Sequence, residues 1–239
     1  MDREKIEEII EYFTTMHPKL IDQMVGDYRG KSVPCCVGAH LAHLLVNKCD
    51  YMEGAKEWCK VIKGNLAQAV LLLRNAGAGS DPFGPMRWHD DPQTVFKKIL
   101  RIENLPSISN EKFKGEYLKD LDLSSQVVYN TVFSGCSLMR SNFSDSSMYN
   151  IDFTSSNLDN SNFKNAYFEE VDFSYSFGHC GNLAGAFFYN CDFKNAYFLE
   201  LSAQTAFGTI FVNCKNLPLN LIKYLPDSAI VMSKARGRK

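Results

Sequence analysis

Four side chains near the amino end of this 239-residue sequence are of types that bind metals or act as nucleophiles: Cys35, Cys36, His40 and His43. On a helix, Cys36 and His40 lie one turn apart, and His40 and His43 share a face. Thiolate and imidazole ligands at that spacing can hold zinc, and a histidine beside a cysteine can act as its base. Yet one helix seldom supplies a whole site, and no CxxC occurs elsewhere. Cysteine is among the most often buried residues, so structural packing is the reading taken. No metal ligand and no catalytic residue is assigned.

A second candidate is the segment from Gly77 to Asp91, which prolines stiffen and which carries Arg87, Trp88 and His89 near its end. A structureless stretch this long is often functional. It reads either as a peptide- or ligand-contacting loop or as a packed connector. Gly77 and Gly79 do not make a phosphate loop, because neither a Walker lysine nor a GxxG follows. No triad, paired carboxylates or nucleotide fingerprint is legible. The chain therefore reads as non-enzymatic and free of cofactors.

The elements holding these residues are short helices across residues 2–100. Ile6, Ile9, Ile10, Phe13 and Met16 form one apolar stripe. Val37, Leu41, Leu44 and Leu45 form another. Asp50 with Glu53, and Asn65 with Gln68, have the form of capping boxes. Gly77 closes the second of these helices, and Asp91-Pro92 opens a last one carrying Val95, Phe96 and Ile99. Five or six helices around one core are expected, within a domain spanning residues 1–105.

The net charge of −1 offers no global field for nucleic acid or membrane. Its distribution is uneven. Residues 111–217 carry 12 acids against 7 bases and residues 218–239 carry 1 against 5, so the middle is mildly acidic and the end basic. The amino terminus opens on a charged amphipathic pattern rather than a secretory signal. No apolar run approaches the ~20 residues that span a bilayer. Eight cysteines without a framework spacing read as free thiols in a reducing compartment. A cytoplasmic setting is expected.

From Leu118 onward a different period takes over. Every fifth residue is large and apolar: Leu118, Leu123, Val128, Phe133, Leu138, Phe143, Met148, Phe153, Leu158, Phe163, Phe168 and Phe173, then, after Gly178, Leu183, Phe188, Phe193 and Phe198. Two residues earlier runs a mostly small series, from Cys136, Ser141 and Ser146 to Cys191 and Ala196. Asn or Asp often stands between the two, as at Asn142, Asp152, Asn162, Asp172 and Asp192. Neither helix nor strand has a period of five.

Segments such as Ser161-Asn162-Phe163-Lys164-Asn165 resemble the pentapeptide-repeat family, whose motif is roughly Ala-(Asp/Asn)-Leu-X-X. The resemblance covers about 100 residues. It implies a right-handed quadrilateral β-helix over residues 111–215, one pentapeptide per side and a little over four coils, closed by a capping helix and basic tail over 216–239. The fold class is thus α+β by segregated domains, with a small all-α amino-terminal domain first. Residues twenty apart should stack, making Phe133, Phe153, Phe173 and Phe193 one ladder. Gly178 should mark a bulge or small loop. After Phe198 the register is lost, and a slip is needed to read Phe207 and Val212 as core. Asn216 should cap a helix carrying Leu219, Leu221, Ile222 and Leu225.

Stacking also predicts an exposed face bearing Tyr129, Tyr149, Tyr167, Phe187 and Tyr189, with Glu169, Glu170, Asn150 and Asn190 among them; an adjacent side adds Tyr117 and Tyr197. Clustered exposed rings read as a contact surface. A protein partner, a second copy, or the chain's own helical domain can cover it. The function expected is a non-enzymatic binding or scaffold protein, with neither nucleic acid nor membrane expected as its partner. The resemblance adds an alternative, since some members of the family mimic duplex DNA and bind type II topoisomerases such as gyrase. The solenoid here is only modestly acidic. A structural or assembly subunit, such as a capsid component, is the third reading.

Overall fold

Apolar residues three and four apart make α1 (Arg3–Thr15), which buries Ile6, Ile9 and Phe13 and half-buries Ile10. In the computed structural model of the chain, residues 1–15, 41, 44–45, 51–78, 92–179, 181–199, 204–227 and 229–232 are described. They fall into two units, Met1–Ser107 and Ile108–Lys239. In the first unit α1 is joined by α2 (Tyr51–Ile62), α3 (Leu66–Leu73) and α4 (Pro92–Ile99). Asn65 caps α3 by accepting from the Gln68 amide at 2.9 Å, and the Gln68 side chain accepts from the Asn65 amide at 3.2 Å. A single π turn, Arg74–Ala78, ends that helix. Gly77 sits there at φ 108°, a conformation only glycine takes without strain. Phe96 of α4 stacks on Phe13 at 5.6 Å and meets the Trp58 edge at 5.3 Å, joining three helices through one aromatic cluster. The Asp50 cap, Asp91, the Cys35, Cys36, His40 and His43 set, and residues 79–91 lie outside the described residues.

In the second unit the five-residue beat becomes a coil. Strands β1 (Val127–Tyr129), β2 (Ser147–Tyr149), β3 (Tyr167–Glu169), β5 (Phe187–Tyr189), β7 (Ile210–Val212) and β8 (Ile230–Met232) form one all-parallel sheet in that order. Strands β4 (Phe177–His179) and β6 (Tyr197–Leu199) pair on another wall. Val128 lies against Met148 and Met148 against Phe168, a register of twenty residues per turn. The remaining walls are too short for strands and are held by single bridges such as Val132 to Asp152 and Asn142 to Asn162. The unit is a four-sided β-solenoid of about five turns.

Each repeat position has a separate physical reason. The central residue is inside: Phe133, Phe143, Phe153 and Leu158 are fully buried. The small residue two before it is also inside, where its hydroxyl finds a carbonyl. Ser156 donates to Phe153 O at 2.7 Å and Ser161 to Leu138 O at 2.9 Å. The Asn or Asp between them turns outward and caps the amide two residues on, as Asp152 does for Thr154 and Asn157 for Asp159. Two residues after the centre the backbone is left-handed, at Asn130, Asn150, Asn160, Asn190 and Gly135 among others. A bond closes most such turns, as from Cys136 N to Phe133 O, and the positive φ at the third residue is what a type II turn requires. The turns after β1, β2, β3 and β5 lack it.

Phe133, Phe153, Phe173 and Phe193 stand above one another at 5.5, 5.4 and 5.0 Å with nearly parallel planes, as expected. The ladder also begins earlier than the motif, with Phe113 stacked 5.2 Å from Phe133. Buried Ile108 lies five residues before that. The small position beside Phe113 is Glu111, half-buried.

Three expectations at the other end are corrected. Gly178 forms no bulge: it is the centre of β4, in register with Phe198. A Cβ there would come within 3.1 Å of the Phe198 ring, which fills the space that a larger residue takes elsewhere. Second, Phe187 pairs with Ile210, 23 residues on instead of 20, so three extra residues fall between β6 and Thr205. The centres are therefore Ala206 and Phe211, both fully buried, whereas Phe207 is 64% exposed. Third, Asn216 does not cap α5 (Leu219–Tyr224). It holds a left-handed corner and donates to Asp192 at 2.7 Å, while Pro218 precedes the helix. In that helix Leu221 is fully buried while Leu219 and Ile222 are exposed, and the chain continues into β8 on the main sheet.

Phe153 touches rings above, below and edge-on at Phe143. Phe153→Ala should therefore cost about 3–5 kcal/mol in a urea titration, with Phe153→Leu well below that. Equal, negligible effects would show that the ladder does not hold the coil.

Candidate interaction face

Because side chains alternate along a strand, a strand with its centre inside turns both flanking residues out. On the six-stranded sheet these form two columns, and β8 at its edge exposes its centre, Val231, as well. One reads Val127, Ser147, Tyr167, Phe187, Ile210 and Ile230; the other reads Tyr129, Tyr149, Glu169, Tyr189, Val212 and Met232. Five of the residues expected on the face, Tyr129, Tyr149, Tyr167, Phe187 and Tyr189, are thus brought onto one surface, with Glu169 among them. Tyr129 is 47% exposed, and the other four are half-buried by their neighbours.

The rings are ordered by one another. Tyr129 and Tyr149 stack at 5.3 Å, Tyr149 tilts against Tyr167 at 5.7 Å, and Tyr167 stacks on Phe187 at 5.5 Å. The ring series crosses from one column to the other at β3, where Glu169 takes the tyrosine's place. Tyr167 donates its hydroxyl to Glu169 at 2.9 Å. Burial of the ring first, and that carboxylate second, push the Tyr167 phenol up to about 12.

Glu170, Asn150 and Asn190 stand at the corner beside the face, all at positive φ. Asn150 donates to Asn130, and Asn130 to Asn110, each at 2.9 Å. These side chains line the face's margin while serving a backbone conformation that asparagine tolerates well. Tyr117 and Tyr197 are not on an adjacent side. Their centres, Leu118 and Phe198, belong to the column ten residues away from Val128, two walls on, which is the opposite wall of a four-sided coil.

The face also extends further than the motif indicated. Ile210, Val212, Ile230 and Met232 continue both columns past Phe187 and Tyr189, and Val127 begins one of them. The three-residue insertion hid the first two, and β8 follows a helix that breaks the count altogether. The sequence signal was a short uninterrupted apolar run in each, Ile210-Phe211-Val212 and Ile230-Val231-Met232.

Chemistry elsewhere is sparse. Among the described residues no group of three metal-ligating side chains occurs, and no helix is long and apolar enough to cross a membrane. On the opposite wall His179 Nδ1 lies 2.8 Å from Asp159, which also accepts from the His179 amide. Arg140 pairs with Asp120 through two 2.7 Å contacts. Both pairs tie neighbouring coils.

A parallel coil of twenty residues per turn, with a buried centre on each side and left-handed corners, defines a repeat solenoid. The family model for pentapeptide repeats matches residues 117–154 and 146–176, in 8 copies. The carboxy-terminal unit is a pentapeptide-repeat solenoid, and that match does not extend to the helical unit. Solved structures similar to the chain include a pentapeptide repeat protein from the Arabidopsis thaliana thylakoid lumen. It is 20% identical, covering 48% of this chain and 83% of that one, with a TM-score of 0.23. Rfr23 from the cyanobacterium Cyanothece 51142 is 16% identical over 52% and 88%, with a TM-score of 0.31. QnrB1, a plasmid-mediated fluoroquinolone resistance protein, is 13% identical over 54% and 84%, with a TM-score of 0.23. Comparison with curated proteins gives no match.

The raised Tyr167 phenol makes a pH prediction. A group whose folded pKa exceeds its unfolded value adds stability below the unfolded pKa and loses it as pH rises through the folded one. In an alkaline titration followed by tyrosinate absorbance, Tyr167→Phe should remove the component near 12. Wild type should lose stability relative to that variant between about pH 10 and 12.

Proposed function

We propose that this protein is a non-enzymatic binding or scaffold protein whose six-stranded sheet face is the contact surface for a protein partner. The observation that supports this is the continuity of the face. Six successive rungs turn aromatic or aliphatic side chains outward; Tyr167 donates to Glu169, while the corner asparagines bond one another rather than the rings. Tyrosine presents a broad amphipathic surface with few rotatable bonds, which favours contact at low entropic cost. Pre-stacking of Tyr129 on Tyr149 and of Tyr167 on Phe187 lowers that cost further, because the rings are ordered before a partner arrives.

A DNA-mimicking role against a type II topoisomerase is the second reading. It draws on Asp152, Asp172 and Asp192, which are bridged to one another in one column of a neighbouring wall. Each of the three, however, accepts from the backbone amide two residues on, and the adjoining sheet face is aromatic rather than anionic. The aromatic face supports the first reading more directly.

The decisive comparison is between wild type and a variant with Tyr129, Tyr149 and Tyr189 changed to Ser, in affinity capture with quantified partner recovery and in light scattering. Loss of partner recovery at unchanged thermal midpoint is expected. A changed oligomeric state instead would assign the face to a second copy, and no change in either would remove the face from the function. A gyrase supercoiling assay without effect at micromolar protein would dispose of the second reading.

A further inference from the structure

The corner between the aromatic sheet and the phenylalanine wall holds one small inward residue per coil: Thr131, Ile151, Val171, Cys191 and then, after the insertion, Cys214. Tyr189 pairs with Val212, so the residues two further on, Cys191 and Cys214, occupy the same position on successive coils. Backbone bonds bracket them, from Asn190 N to Val212 O at 3.0 Å and from Lys215 N to Cys191 O at 2.9 Å. Their sulfurs repeat one pattern. Cys191 Sγ lies 3.5 Å from Tyr189 O and 3.6 Å from Phe168 O; Cys214 Sγ lies 3.6 Å from Val212 O and 3.4 Å from Phe188 O. The two side chains therefore point the same way, one rung apart. Adjacent rungs are about 4.8 Å apart, inside the roughly 4.4–6.8 Å Cα separation that a disulfide spans.

We propose that Cys191 and Cys214 form a redox-responsive dithiol that closes to a disulfide between the last two coils. Exposure sets the order of events. Cys191 is fully buried next to the sulfur one coil on, whereas Cys214 is only partly buried and meets the oxidant first. The oxidant is a hydroperoxide. The Cys214 thiolate attacks one peroxide oxygen; an S–O bond forms, the O–O bond breaks, and the leaving alkoxide takes up a proton. Cys191 sulfur then attacks the Cys214 sulfur of the sulfenic acid. The S–S bond forms, the S–O bond breaks, and the departing hydroxide leaves as water with the Cys191 proton. Two thiols are oxidised and one hydroperoxide is reduced to an alcohol and water.

The electrostatics agree with that order. A hydrogen bond from Cys191 lowers the Cys214 pKa, whereas burial first and Cys214 second raise that of Cys191. The more exposed thiol is thus also the more easily ionised, and the thiolate is the reactive form. The product would staple the coil across the three-residue insertion, next to Tyr189 and Val212 of the aromatic face. It would fix the segment of coil least constrained by strict repetition.

The test uses the full, reduced protein treated with hydrogen peroxide, then alkylated under denaturing conditions and digested. A linked pair of peptides containing Cys191 and Cys214, lighter by two hydrogens and released by dithiothreitol, is expected. The thermal midpoint should rise by several degrees, because the closed loop restricts the unfolded chain. Cys191→Val copies Val171 one coil below and should keep the fold; its Cys214 should then accumulate sulfenic acid that dimedone traps. Cys214→Ser should leave Cys191 reduced. The proposal is overturned if oxidised wild type carries a dimedone adduct on Cys214 with no link. A link from either cysteine to another residue, or two unmodified thiols in protein whose Cys191→Val form does trap dimedone, overturns it equally.

Discussion

A parallel backbone ladder repeats at a fixed rise of about 4.8 Å and sets each residue above its counterpart one turn earlier. Every other property of the solenoid follows from that translation. A phenylalanine inside must sit on another inside residue, and the 5.0–5.5 Å centroid separations of the Phe133 to Phe193 ladder are that rise expressed in rings. A tyrosine outside must likewise sit beside whatever the next turn places there. Stacked aromatics on the surface are therefore as much a product of the coil as those in its core. The residues facing outward remain free to vary, because the ladder is made by backbone groups.

The translation also explains how an irregular stretch is tolerated. A coil can lengthen on one wall provided that it returns to the ladder before the next. Three added residues after β6 leave the Phe188 to Phe211 stack at 4.9 Å with planes 7° apart, as close as any in the core. A small centre is tolerated in the same way when a neighbour compensates, as the Phe198 ring does at Gly178. These two adjustments fall on the wall opposite the aromatic sheet or at the turn leaving it, so the face passes through the irregular region unbroken.

The period-five core was legible because burial of one large residue per side is unconditional, and Phe133, Phe153, Phe173 and Phe193 mark it without interruption. The outward tyrosines were legible from the same count. Phe113 and Ile108 were missed because their small positions hold Glu111 and Pro106, which do not fit the motif. Ala206 and Phe211 were missed because an insertion has no pattern of its own. The placement of Tyr117 and Tyr197 beside the aromatic face was an error of counting walls: ten residues is half a circuit. In the helical unit the stripe of α1, the Asn65–Gln68 cap and the Gly77 stop could be read, since each is a local arrangement. How Phe13, Trp58 and Phe96 meet could not, since that depends on pairing between helices distant in sequence.

The corner column beside the aromatic face runs Asn110, Asn130, Asn150, Glu170, Asn190 and Asn213, each with φ between 50° and 65°. Asparagine accepts that conformation readily, whereas for other side chains it costs about 1 kcal/mol or more. Glu170 is therefore the one member whose chemical type does not suit its backbone, and it stands where the ladder passes the Tyr167–Glu169 pair. Local folding preference and outward charge pull in opposite directions at that corner. An asparagine in its place would tighten the rod while making its rim less acidic, so rigidity and surface character can be adjusted separately at a single residue.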